Sequence, residues 1–190
     1  EERMQEEMSV SILGQEWYEF AEGYDTAFLG EQYLVPHPVF KQELMRDIAP
    51  KQTGGYVLDY THFSIVMSKS RRLAFYSAVN IDGNQLKNIR REKDNWYYDS
   101  RIDRAYQAGS DLYRNNDLDR GHLVRRRDPV WGKRATAANE DTFHFTNCVP
   151  QHKDLNQRTW LDLEDYILDN AVNHQLKVSV FTGPVFKETD

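Results

Sequence analysis

A chain of 190 residues is long enough to bury a core and fits a single domain. Its 39% hydrophobic and 13% aromatic content excludes a disordered chain, and no apolar run approaches the roughly 20 residues that cross a bilayer. The single cysteine, Cys148, excludes an internal disulfide and a multi-cysteine zinc site. We expect a soluble globular domain without a membrane partner, and the cysteine usage and the lack of a signal-peptide pattern favour the cytoplasm.

The charge is unevenly distributed along the chain. The formal net charge of −6 argues at first against a nucleic-acid partner. Residues 1–31 carry a net charge of −8, however, whereas residues 114–134 carry a net charge of +4. A basic stripe on an acidic body can contact phosphates, with binding that weakens as the salt concentration rises.

The first fifty residues are predicted to form a helix and a wrapping arm. Apolar residues recur every three to four positions between residues 1 and 22, which predicts a helix. From residue 23 to residue 50, glycine and proline interrupt this period, which predicts an arm. The apolar residues through which the arm should pack are Phe28, Leu34, Val39 and Phe40.

Residues 51–190 contain the elements of a mixed α+β domain. Two β-rich runs, 62–67 and 73–79, surround a short polar turn and predict an antiparallel hairpin. A β-like run covers residues 141–147, and a last strand covers residues 176–182. Between them, residues 154–173 predict a helix with an apolar stripe formed by Trp160, Leu163, Ile167 and Ala171.

The side chains after residue 117 suit the hydrolysis of a phosphodiester. This reaction needs a base for the attacking water, positive charge on the transition state and stabilisation of the leaving oxygen. His122 is the candidate base, because an ordinary histidine pKa of about 6.5 leaves the neutral form dominant at physiological pH. Gly121 before it allows a tight turn and leaves room for a bulky polyanion. A structural role for His122 is the alternative.

A hydrated Mg²⁺ ion needs only one or two protein oxygens, because it keeps several of its waters. Asn156, just inside the predicted helix, can offer an amide oxygen. Glu164 lies eight residues further on, roughly 12 Å along a helix axis, and suits a contact with metal-bound water. The alternatives are that Asn156 caps the helix and that Glu164 is a surface charge.

Several arginines and histidines are candidates for supporting roles. Arg91, or its neighbour Arg90, can bind phosphate oxygens through two parallel hydrogen bonds. The residues that can bind a nucleic-acid backbone, or else form a solvated run, are Arg125, Arg126 and Arg127. His144 and His152 are either second proton carriers or structural histidines.

Asp119-Arg120-Gly121-His122 resembles the signature of the DNA/RNA non-specific endonucleases, the ββα-metal nucleases that include endonuclease G. The resemblance continues through residues 146–151, Asn156-Gln157, residues 160–164 and residues 180–186, and it covers roughly residues 55–188. An ordered set of motifs at these spacings is far more specific than four residues alone.

The resemblance implies a ββα-metal (His-Me finger) fold, with a central, mostly antiparallel sheet flanked by helices. It also implies that His122 is the general base, that Asn156 binds Mg²⁺ or Mn²⁺ directly and that Glu164 organises the metal's water. Asn147 matches a supporting asparagine near the site. The arginines that would face the phosphate are Arg120 and Arg91, and Arg90 aligns almost as well as Arg91.

We therefore expect a Mg²⁺-dependent, sugar-non-specific endonuclease acting on the backbone of DNA and RNA. Two alternatives stay open: a binding module that has lost turnover, and an effector domain of a larger defence or toxin protein that is inactive until triggered. A serine or cysteine hydrolase finds little support, because no Gly-x-Ser-x-Gly motif occurs and no cation lies near Cys148 in the sequence.

The predicted organisation is an amino-terminal helix and wrapping arm over residues 1–50 and a nuclease domain over residues 51–190. Members of the resembled family continue past the last strand with further sheet, and the chain starts with Glu1 rather than Met. We interpret it as part of a longer protein. A homodimer or a covalently linked regulatory domain are the partners that this organisation suggests besides nucleic acid.

Overall fold

The computed structural model describes residues 12–91 and 94–187. The first half of the predicted amino-terminal helix lies outside these residues, and for residues 12–22 the prediction is wrong. This segment contains the short strand β1 (Ile12–Leu13) and one 3-10 turn (Gln15–Tyr18). Trp17 donates a hydrogen bond to Asp141 at 2.7 Å, and the Tyr18 hydroxyl lies 2.9 Å from His144 Nε2. Contacts with these distant partners, rather than a local helical period, determine where the two aromatic side chains lie.

The main sheet has four antiparallel strands in the order β2 (Leu58–Tyr60), β3 (Phe63–Met67), β4 (Ala74–Asp82) and β8 (Lys177–Thr182). β-Branched and aromatic residues favour these strands. The pairing of β3 with β4 confirms the predicted hairpin, and β8 confirms the predicted last strand. All of β3 and nearly all of β4 are buried, so the two strands form the centre of the domain.

A second sheet carries the signature. Strand β6 (Leu118–His122) pairs antiparallel with β7 (Cys148–His152), with His122 opposite Cys148. A π-helical turn (Leu155–Thr159) follows β7 and leads into helix α3 (Trp160–Asn173). The predicted helix over residues 154–173 is confirmed, with a wider first turn than the sequence suggests.

Several short elements complete the fold. They comprise helices α1 (Gln42–Met45) and α2 (Ala135–Asp141), strand β5 (Tyr98–Asp99) parallel to β1, and 3-10 turns at Arg104–Tyr106, Ser110–Tyr113, Gly132–Arg134 and Phe145–Asn147. The predicted β-like run over residues 141–147 is wrong. This segment is the end of α2 followed by a 3-10 turn.

The arm and the last helix bury fewer apolar residues than predicted. Phe28 is buried and Phe40 packs on a cluster of buried residues, but Leu34 and Val39 are 62% and 96% exposed. In α3 the buried residues are Leu168 and Ala171, whereas Leu163 is 47% exposed. The predicted stripe is therefore correct for Ala171 and wrong for Leu163, because only the carboxyl-terminal half of α3 packs closely on the sheet.

Among the residues described, no helix is both long and apolar enough to cross a membrane.

The difference between two leucines of α3 provides a test of this packing. We expect Leu168→Ala to lower the free energy of unfolding by about 2–5 kcal/mol, because it leaves a cavity in the core. Leu163→Ala is the matched control on the same helix and should cost roughly 1 kcal/mol or less. Urea unfolding of the two variants measures both values. Equal losses would contradict the packing described.

A buried carboxyl group, Asp128, borders a cavity that is lined mainly by residues of α3 and β8. Burial, with a smaller contribution from the Glu164 carboxylate, raises the pKa of Asp128 to about 8, against the opposing effect of Arg125 and Arg127. The folded state thus holds a proton that the unfolded state releases near pH 4. Stability from this group is fully present below the unfolded pKa and is lost as the pH rises towards 8.

We expect Asp128→Asn to remove part of this pH dependence. The variant should match the wild type near pH 4 and should melt at a higher temperature near pH 8, because the amide carries no charge to desolvate. Thermal melting at both pH values measures the difference. A variant that loses stability equally at both would show that the carboxyl group makes a structural contact that outweighs its desolvation.

Candidate active site

The side chains singled out by the signature surround one cavity of about 640 Å³ between the second sheet and the start of α3. We call it the central cavity. His122, Asn156 and Glu164 all border it. The convergence of the imidazole and the carboxamide, on which the sequence interpretation depends, is therefore present in the fold.

His122 ends β6 and packs against two aromatic rings, which also contact each other. The centroid of its ring lies 5.0 Å from that of Trp96 and 5.2 Å from that of Phe143. The ring is half-buried, and its Nε2 is shielded from water without a hydrogen-bond partner among the described residues. Burial lowers the pKa of His122 to about 4, with a further contribution from Arg91. The imidazole is thus neutral at physiological pH, as a base must be.

Asn147 holds the chain that follows His122. Its Oδ1 accepts a hydrogen bond from Val124 N at 2.9 Å, and its Nδ2 donates to Val124 O at 2.9 Å and Thr142 O at 3.0 Å. Asn147 is fully buried and does not border the central cavity. Asn147, which the sequence places among the catalytic side chains, thus contacts the backbone after His122 rather than the cavity.

The π-helical turn presents Asn156 to the cavity, and Asp119 holds it there. Asn156 Nδ2 donates to Asp119 Oδ2 at 3.0 Å, and Gln157 Nε2 donates to the same oxygen at 2.8 Å. An amide oxygen facing a carboxylate would be repelled, so this contact fixes the amide orientation. The Asn156 oxygen is the end left for a cation.

Glu164 lies on α3, eight residues after Asn156, and borders the central cavity. Its Oε2 lies 3.7 Å from Arg125 Nε, and Arg125 also binds Asp165. Burial raises the pKa of Glu164 to about 7, against the effect of Arg125. A cation beside a buried carboxylate favours its charged form, so Glu164 is suited to a position near a metal's water shell.

Among the described residues, five arginines and three carboxylates border the central cavity. The arginines are Arg91, Arg120, Arg125, Arg126 and Arg127, and the acids are Asp94, Asp119 and Glu164. Arg91 forms an ion pair with Asp94. Arg120 is exposed, with its guanidinium 5.6 Å from the centroid of the Tyr113 ring. Arg90 does not border this cavity but an adjacent one, so the structure separates the two neighbours that the sequence could not distinguish.

The two other candidate histidines lie outside the central cavity. His144 is fully buried, between the Tyr18 hydroxyl and the backbone oxygen of Asp141, which is a structural arrangement. His152 is exposed, with its Nδ1 3.6 Å from Asp154. Neither borders the cavity.

Gly121 has a different role from the one predicted. It lies within β6 rather than in a turn, and a Cβ atom there would lie only 2.2 Å from Gln151 Oε1. The missing side chain thus makes room for Gln151 of the paired strand and not for a substrate.

The donor set is compatible with a hydrated divalent ion. The described residues contain no group of three or more His, Cys, Asp or Glu side chains that could hold a metal. A site built on the single oxygen of Asn156 and on water does not need one, since Mg²⁺ retains much of its hydration shell. The oriented amide and the half-buried Glu164 are the features that fit such an ion.

The sequence interpretation gave no role to several residues that border the cavity, among them Asp119, Trp96 and Tyr113. Asp119 lies inside the signature, and the resemblance gives it no role of its own. Trp96 lies between β4 and the signature, and no spacing places it beside His122. Tyr113 lies in a 3-10 turn with no motif of its own.

Comparison with known proteins identifies the family and the fold. The family profile described as DNA/RNA non-specific endonuclease matches residues 41–190, which starts before the predicted boundary at residue 51. The uncharacterized protein y4fB of Sinorhizobium fredii is 41% identical over 189 residues, which are 92% of this chain and 28% of that protein. A nuclease of Nostoc sp. is 27% identical over 130 residues, which are 68% of this chain and 46% of that protein. The chain thus spans less than half the length of either relative.

Among solved structures, a chain of the EndoG/EndoGI complex, described in relation to EndoG inhibition, superposes with a TM-score of 0.62 at 20% identity. The match covers 80% of this chain and 62% of that one. This confirms the predicted α+β, ββα-metal nuclease fold. Together, the profile over most of the chain and the relative at 41% identity show that this chain belongs to the DNA/RNA non-specific endonuclease family, a family of nuclease enzymes.

Proposed function

We propose that this domain is a Mg²⁺-dependent, sugar-non-specific endonuclease that hydrolyses phosphodiester bonds in DNA and RNA. One observation carries the proposal: a neutral histidine, an oriented amide oxygen and a group of arginines border a single cavity. A phosphodiester hydrolase needs these three functions within reach of one phosphorus atom.

His122 acts as the general base. Since its Nε2 is shielded from water while the ring borders the cavity, Nδ1 is the nitrogen that takes a proton from the attacking water. Trp96 and Phe143 pack against the imidazole, and Asn147 fixes the chain after it. The base is therefore held in place before the substrate binds, which lowers the entropic cost of the reaction.

Arg91 and Arg120 bind the phosphate oxygens and offset the charge that develops on them. Guanidinium groups suit this role because they stay charged and match the geometry of a phosphate. Contacts of this kind carry no sequence information, which accounts for a lack of base specificity.

Asn156 would hold the metal ion directly, and Glu164 would bind its water. When bound, Mg²⁺, or Mn²⁺ in its place, supplies positive charge for the phosphate and for the leaving 3′ oxygen. Asp119 keeps the amide of Asn156 in the orientation that binding requires.

A homodimer or a linked regulatory domain stays a prediction.

The general-base role predicts a loss of activity on removal of the imidazole. His122→Ala should lower the rate of plasmid cleavage with Mg²⁺ by about 10²–10⁴-fold, because a positioned base contributes about that much. EDTA should abolish cleavage by the wild type. Gel electrophoresis of supercoiled plasmid and of a structured RNA measures both effects.

Arg46→Gln, a change at an exposed arginine outside the central cavity, is the control and should cleave as the wild type does. Cleavage that survives His122→Ala or chelation would contradict the mechanism. A wild-type protein that shifts nucleic acid on a gel without cutting it would favour a binding module.

The role of Asp119 can be tested without measuring turnover. Asp119→Asn should weaken Mg²⁺ binding by about 10–100-fold, since residues that orient a metal ligand typically contribute this much. Isothermal titration calorimetry with Mg²⁺ alone measures the affinity. Asp117→Asn is the matched control, because Asp117 is 77% exposed and precedes the same signature. Equal affinities for both variants would show that Asp119 does not position the ligand.

A further inference from the structure

A second, smaller cavity adjoins the central cavity. It has a volume of about 170 Å³, and Arg91 and Arg126 border both cavities. We call it the side pocket. Its wall also includes Arg90, Tyr97 and Asn139. Three arginines thus border the side pocket, and two of them, Arg91 and Arg126, border both cavities.

Arg126 is fixed at this junction by neutral partners. Its Nη1 donates to Asn139 Oδ1 at 2.8 Å and to Ile89 O at 3.2 Å. Two neighbouring arginines have acidic partners instead: Arg91 pairs with Asp94, and Arg125 pairs with Asp165 and Glu164. Arg126 is therefore held in one position while the described hydrogen bonds leave its charge unneutralised.

The surroundings of Arg126 favour an anion. Burial lowers the pKa of Arg126, and the charges of Arg91 and Arg127 lower it further, so like charges outweigh the opposing effect of Asp94. An anion between these groups would relieve their repulsion. Glu140 also borders the side pocket and takes part in another interaction, so the pocket is not uniformly positive.

We propose that Arg126 and the side pocket bind the backbone phosphate next to the scissile one. The inference rests on the proposed function and extends it from a single phosphate to two. In a nucleic-acid strand, every internal phosphodiester has a charged neighbour. A fixed arginine beside the reaction site can bind that neighbour through charge-assisted hydrogen bonds. The enzyme would thereby prefer internal bonds, as an endonuclease does.

Short substrates test the proposal. Three thymidine trinucleotides are compared: one has two charged phosphodiesters, and the other two have a neutral methylphosphonate in place of the 5′ or the 3′ phosphodiester. For each neutral substrate, kcat/KM at the remaining phosphodiester is compared with kcat/KM at the same bond of the fully charged trinucleotide. The wild type should lose about 10–100-fold in kcat/KM when the neighbour on one side is neutral, since a hydrogen bond to a charged group is worth about this much.

Arg126→Gln should bring the ratio of kcat/KM for the charged and the neutral substrate towards 1, because glutamine carries no charge to attract the neighbouring phosphate. Arg126→Lys should keep part of it and shows that the fold tolerates a change at this position. Arg46→Gln removes the same charge from an exposed position outside both cavities and should keep the full preference. The protein and substrate changes thus form a double-mutant cycle.

A preference that Arg126→Gln retains in full would overturn the proposal, and so would a wild type that cuts the charged trinucleotide and both neutral ones equally fast. Failure of the proposed function is a different result: no cleavage of plasmid or trinucleotide by the wild type with Mg²⁺ or Mn²⁺.

Discussion

One carboxylate connects the two halves of the site. Asp119, on strand β6, accepts hydrogen bonds from Asn156 and Gln157 on the π-helical turn. The strand that carries His122 and the helix that carries Glu164 are joined by this contact. A π-helical turn is rare and often occurs at functional sites, where it re-aims side chains that an α-helix would direct elsewhere. Without that contact, the amide of Asn156 would be free to present either end to the cavity.

The charges of the protein are unevenly distributed around the central cavity. The body of the protein is acidic, yet arginines gather around the central cavity. Some of them are committed to structure, as Arg125 is when it joins the loop after His122 to α3. Others, above all Arg126, are oriented by neutral groups and retain their attraction for a phosphate. Net charge alone would have excluded a nucleic-acid substrate, whereas the local distribution of charge favours one.

Motif spacing predicted the parts of the site that are close in sequence or belong to one signature. His122, Asn156 and Glu164 border one cavity as the resemblance implied, and the β3–β4 hairpin follows from its β-rich runs. The errors arise where distant contacts decide the structure. Trp17 and Tyr18 take partners more than a hundred residues away, which no helical period reveals.

Other features were beyond any local pattern. Trp96 contacts His122 only because the chain after β4 passes close to the second sheet. The apolar stripe around Leu163 does not show which half of α3 will pack on the core. The burial that lowers the pKa of His122 is likewise a property of the assembled aromatic rings.

The central claim is that the amide oxygen of Asn156 binds the catalytic cation in the cavity that His122 borders. Anomalous diffraction from crystals soaked in Mn²⁺ tests it most directly. The account predicts one strong peak at a coordination distance of about 2.0–2.2 Å from Asn156 Oδ1, with Glu164 reached through water. A peak held by other side chains, with the Asn156 oxygen turned away, would contradict the account.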